Sequence, residues 1–181
     1  IGRYRWQALL LLALIATYRI SDVVMGIMAN PFYVDMGYTK DEVAAVSKAY
    51  GVVMTLAGAF LGGALALRFS VIRILMLGAV LSAASNLLFA WLATRGHDLT
   101  GLIFVISADN LSAGIASAAF IAYLSGLTNV AYSATQYALL SALAAVGRTY
   151  LAGPLSGVMV EAFGWPAFFA FTFVVALPGL A

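Results

Sequence analysis

The sequence predicts an all-α membrane protein of six transmembrane helices. Composition is the first reason. The chain has 181 residues, 64% of them hydrophobic and only 9% charged. A soluble domain is nearer one quarter charged. Mean hydropathy is +1.03, far above the soluble range. The second reason is pattern. The apolar residues fall into six long runs divided by short polar separators. A spanning helix needs roughly 20 apolar residues. Barrel strands would instead alternate in character over about ten residues, and these runs do not.

The runs follow in order. The first, about Trp6–Ala29, comes after Arg3 and Arg5 and contains Arg19 and Asp22. The separator "NPFYVDMGYTKDE" reads as a loop before the second run, Val43–Leu67. That run holds "GAFLGG", with Gly58 and Gly62 at small-xxx-small spacing, a pattern that lets helix backbones approach closely. After "RFSVIR" the third run, Ile74–Thr94, carries no charge. "TRGHD" leads to the fourth, Leu99–Thr128, with Asp109 beside Asn110. "NVAYSATQ" leads to the fifth, Tyr137–Val160, which holds Arg148 and repeats the glycine spacing at Gly153 and Gly157. "EAFGW" precedes the sixth, from Trp165 to the end, again uncharged.

This order contains an echo. Runs one and four each carry an acid at depth, runs two and five each carry the glycine pair, and runs three and six are uncharged. Two triplets of three spans each are inverted relative to one another. That is the 3+3 inverted repeat of one half of a major-facilitator fold. Lys and Arg favour short cytoplasmic loops. Arg3, Arg5, Arg68 and Arg73 share one side, against Lys40, Lys48 and Arg95 amid acidic residues on the other. Both chain ends are therefore expected in the cytoplasm. The chain opens on Ile and stops inside an apolar run, so it is expected to be part of a longer protein.

The charges at depth direct attention to function. Arg148 falls at the centre of its run and Arg19 close to the centre of the first. Asp22 and Asp109 lie about 6–7 Å toward the expected outer side. Each costs roughly 2.5–3.5 kcal/mol at a helix centre, so four facing lipid would cost on the order of 10 kcal/mol. They must face protein or water. Arg19 and Asp22, three apart, also fit a local ion pair that only fixes packing.

Other functions find no support. There is no Cys, hence no disulfide, thiolate metal site or nucleophilic Cys. No Ser-His-Asp spacing, HExxH motif, GxGxxG motif or phosphate-binding Gly-rich loop occurs. The chain is expected not to be an enzyme and to hold no metal. A net charge of +2 is too small to argue for a nucleic-acid partner.

Several stretches resemble the AmpG-type muropeptide permeases of the major facilitator superfamily. "YRISD" (Tyr18–Asp22) looks like the start of their seventh helix. "DNLSAGIASAAFIAYL" is similar to their tenth. "SATQYALLSALAAVGRTYLAGPLSG" (Ser133–Gly157), with the "VEAFGWPAFFAFTFVVALPGL" that follows, resembles their tenth-to-twelfth helix region. "GGALALRFSVIR" is similar to the superfamily's signature loop between helices eight and nine, with Gly63, Arg68 and Arg73 as gating-loop residues. It departs from that signature at Leu67, where an acid is usual, and at Ser70, where Gly is usual.

The resemblance implies that residues 1–181 are the second, C-terminal six-helix half of a carrier in the bacterial inner membrane. It implies proton-driven import of anhydro-muropeptides, sugar–peptide fragments of peptidoglycan, from periplasm to cytoplasm. Protons are the coupling ion, no cofactor is required, and the missing N-terminal half and the lipid bilayer are the partners. Asp22 and Asp109 are then the proton-coupling candidates. Arg148, Arg19, Asn110, Tyr150 and Gln136 are the substrate-binding candidates. Two other readings stay open: a major-facilitator carrier of another solute, such as a sugar or drug, and a non-transporting bundle that assembles with a partner half.

Overall fold

The structure, a computed structural model, describes residues 20–127 and 153–176, all helices and short connections. The expected first run up to Arg19, and the expected fifth run up to Ala152, lie outside the described residues.

Helix α1 spans Ile20–Asp35. It runs six residues past its expected end at Ala29, so "NPFYVD", read as loop, is helical. Pro31 lies inside it and removes a backbone donor, at a cost near 3 kcal/mol in a helix interior. The aromatic packing just beyond offsets this. The buried Phe32 ring lies 6.0 Å from Phe89, 5.2 Å from Trp165 and 5.1 Å from Phe169, all edge-on. Each such pair contributes about 0.5–1.5 kcal/mol. Keeping the helix wound is what brings Phe32 to these rings.

Gly37, at φ 81, turns the chain. Helix α2 then spans Lys40–Ala66. It starts three residues before the expected Val43, because "TKDE" supplies a capping box. The Thr39 N–H donates to Glu42 Oε2 at 2.8 Å, and the Glu42 N–H to Thr39 Oγ1 at 3.3 Å. Two orphan donors of the first turn are thereby satisfied. Ala44–Tyr50 is π-helical, and the Gly51 N–H reaches back five residues to the Val46 carbonyl.

Helix α3 spans Val71–Arg95 and α4 spans Leu99–Leu127, joined through Gly96 at φ 72. Helix α5 spans Gly153–Ala176 with a break at Gly164 (φ 76, ψ 171). By length and composition, Ser156–Val174 resembles a single span. The left-handed backbone at Gly164 excludes a continuous helix. The break falls in the expected separator "EAFGW", so the two arms belong to different runs. Trp165 anchors the second arm by donating from Nε1 to Asp35 Oδ2 at 2.9 Å.

α4 packs against α2 and α3, while α5 packs against α3 and α1. Glycines permit the α2–α4 contact. A Cβ on Gly62 would stand 2.9 Å from Ile115 Cα, and one on Gly114 would stand 2.7 Å from the Ala59 nitrogen. The "GAFLGG" spacing is thus a helix-packing surface here. α2, α3 and α4 are long and apolar enough to cross a membrane. Val52, Leu56 and Phe60 form an exposed apolar stripe on α2. The chain is a multi-pass membrane protein.

Candidate transport site

Asp109 and Asn110 are neighbours on α4, separated by about 100° around the helix. They face different helices. Asp109 turns to α3, where Ser85 Oγ lies 2.8 Å from its Oδ1. Asn110 turns to α2, where its Oδ1 accepts from Thr55 Oγ1 at 2.9 Å. The Asn110 Nδ2 donates to the Ile106 carbonyl at 3.0 Å. Gly51 leaves room for that amide, since a Cβ there would stand 3.3 Å from Nδ2. The expected substrate contact Asn110 is therefore engaged at both ends of its amide, by Thr55 of α2 and by the backbone of its own helix.

The surroundings of Asp109 are of a different kind. Ser85 Oγ also lies 2.7 Å from the Ser82 carbonyl. A hydroxyl has one proton and here meets two acceptors. When Asp109 is ionised, Ser85 donates to it. When Asp109 carries a proton, the carboxyl donates to Ser85 Oγ and the Ser85 hydroxyl serves the Ser82 carbonyl. The carboxyl keeps a partner in either state without any change of packing. Asp109 thus sits on α4 against α3, half-buried within a span.

One helical turn of α3 around Ser85 is polar. Ser82, Ser85 and Asn86 are all buried, and neither polar atom of the Asn86 side chain has a hydrogen-bond partner. A buried amide left unpaired costs about 1–3 kcal/mol. The third run, read from sequence as merely uncharged, carries this polar face at spacings of three and one. That spacing was the available signal for Ser85 and Asn86.

Among the other expected site residues, Asp22 lies on the α1 backbone, but its side chain lies outside the described residues. Arg19, Gln136, Arg148 and Tyr150 lie outside them entirely. The gating-loop candidates flank the turn between α2 and α3. Gly63 sits within α2 with no atom within 4 Å of where its Cβ would be. Arg68 is in the exposed turn after α2, and Arg73 in the exposed first turn of α3.

The end of the bundle holding Tyr38 is tied by polar contacts. The Tyr38 hydroxyl donates to the Asp98 carbonyl at 3.0 Å, joining the α1–α2 turn to the α3–α4 turn. Burial pushes the Tyr38 phenol above its ordinary pKa. Beside it, His97 Nε2 lies 3.2 Å from Glu42 Oε2.

The described helices are apolar, closely packed and carry a half-buried carboxyl within one span. The sequence profile of the Major Facilitator Superfamily matches residues 10–181. The chain belongs to the major facilitator superfamily. This superfamily member is 39% identical over 177 residues to the anhydromuropeptide permease of Escherichia coli K12, covering 97% of the chain and 36% of that protein. It is 34% identical over 173 residues to the putative transporter AmpG 4 of Rickettsia conorii, covering 96% of the chain and 42% of the relative. It is 32% identical over 175 residues to the putative transporter AmpG 1 of Rickettsia prowazekii, covering 97% and 39%. The chain spans about two fifths of the length of these curated relatives. Family membership places it among transporters rather than enzymes.

Proposed function

We propose that this major-facilitator chain is the C-terminal six-helix half, residues 1–181, of a proton-coupled carrier that imports anhydro-muropeptides across a bacterial inner membrane. The observation that carries the reading is the 39% identity over nearly the whole chain to an anhydromuropeptide permease. The Asp109–Ser85 pair supports the coupling part, because a coupling carboxyl must be accommodated with and without its proton. Asp22 is the second candidate for that role. In this reading the six helices form a 3+3 inverted repeat with both ends cytoplasmic, and the N-terminal half supplies the facing wall of the cavity. Arg148 at membrane depth recognises an anionic group of the solute through its planar fork.

Uptake of labelled anhydro-muropeptide into permease-deficient cells expressing the full-length carrier tests the reading. Accumulation that a protonophore abolishes supports it. Asp109→Asn should insert and bind solute yet no longer concentrate it. Strong uptake of a sugar or drug without competition by anhydro-muropeptide refutes the substrate assignment. Undiminished, protonophore-sensitive accumulation by Asp109→Asn refutes its coupling role and leaves Asp22 to be tested the same way.

A further inference from the structure

The π-helical segment of α2 has a geometric consequence. In an α-helix residues four apart drift by roughly 40° per step, since each residue advances about 100°. Lys40, Ala44 and Lys48 would therefore fan around the helix. The i→i+5 bonding over Ala44–Tyr50 takes more residues per turn and cancels much of that drift. All three line one notch of about 410 Å³ between the end of α1 and the start of α2.

The notch is chemically mixed. Its walls are apolar and aromatic, including Tyr33 and Tyr38, and the Tyr38 hydroxyl already bonds the Asp98 carbonyl. Its remaining polar groups are Asn30, Asp41 and the two lysines. Among the described residues the ion pair in this region is Glu42 with His97, and neither lysine is paired with a carboxylate there. Lys48 is two turns inside a spanning helix, about 12 Å along its axis from Lys40. A cation so placed is costly against lipid and is tolerated where it meets a water-filled cavity. The notch is large enough to admit water.

We propose that this notch is a carboxylate-binding subsite for the transported solute, with Lys48 as its cation and the aromatic and aliphatic wall holding the solute's apolar portion. An ammonium is a point charge that accepts a carboxylate in several orientations. The site suits the end of a flexible peptide better than a rigid ring. This inference rests on the reading above for its solute, but its chemistry does not.

The test uses purified full-length carrier and two probes, N-acetyl-alanyl-alanine and its C-terminal amide, with binding measured by calorimetry. Wild type should bind the acid at least tenfold more tightly than the amide. Lys48→Gln should abolish that preference, and Lys48→Arg should retain most of it. Lys40→Gln, nearer the open rim and beside Asp41, should reduce it less. No acid preference in wild type, or a full preference in Lys48→Gln, overturns the subsite. If the carrier refuses anhydro-muropeptides in the uptake assay but loses acid preference in Lys48→Gln, the subsite stands and the solute assignment falls.

Discussion

Replacing glycine by alanine at two places should shift stability in opposite directions. Gly114 of α4 faces α2 backbone to backbone, and an added Cβ would stand 2.7 Å from the Ala59 nitrogen and 2.9 Å from the Gly58 carbonyl carbon. Ordinary contact for such atoms is near 3.5–4.0 Å. Neither backbone can rotate away, so the helices must part by about 1 Å. Overpacking of that kind costs roughly 1–3 kcal/mol. The separation also stretches the 2.9 Å Thr55–Asn110 bond past hydrogen-bonding range, and a bond of this kind within a membrane contributes about 0.6 kcal/mol. Alanine regains up to about 1 kcal/mol of helix propensity. The net expectation for Gly114→Ala is a loss of about 1–3 kcal/mol. Gly63, on the far side of α2, meets nothing within 4 Å, so Gly63→Ala should gain about 0.5–1 kcal/mol. Thermal or SDS-induced unfolding of the purified full-length carrier in one detergent compares the two. If Gly114→Ala is as stable as Gly63→Ala, the close α2–α4 approach is wrong.

Ser85→Ala removes one Asp109 partner, the hydroxyl on α3; proton-driven uptake should fall about tenfold or more at unchanged expression, while Ser85→Thr keeps the hydroxyl and much of the activity. Equal loss in both variants would point to packing instead. Tyr38→Phe deletes the tie between the two turns and should cost about 0.5–1.5 kcal/mol in the same unfolding assay. Because burial raises that phenol's pKa, the tie holds at neutral pH, and its contribution is lost only as alkaline pH passes through the raised value. Single cysteines at Thr39 and Ser70 of this Cys-free chain should be labelled from opposite sides of the membrane. Equal labelling of both by an impermeant reagent in intact cells would refute the orientation. Arg148→Lys keeps the charge but loses the fork, so uptake should fall sharply; normal transport would reduce Arg148 to a packing charge.

Membrane residence was legible in the residues themselves. A bilayer demands about twenty apolar residues per span with internally satisfied backbones, and that demand acts on each segment separately. The start of α4 at Leu99 fell where expected for that reason. The depth of Asp109 and the packing use of Gly58 and Gly62 were legible too, since a carboxylate or a missing side chain in a greasy run is conspicuous by itself. Tertiary structure decided what such residues touch. Asp109 and Asn110 are adjacent in sequence yet serve α3 and α2, because a helix turns 100° per residue and the neighbours it meets depend on the whole bundle. The continuation of α1 through Pro31 depended on Phe89, Trp165 and Phe169, rings far along the chain. The notch at Lys48 depended on one stretch of i→i+5 bonding that no local propensity signals. Apolar length is a property of one segment, whereas the partner of a polar group is a property of three helices at once.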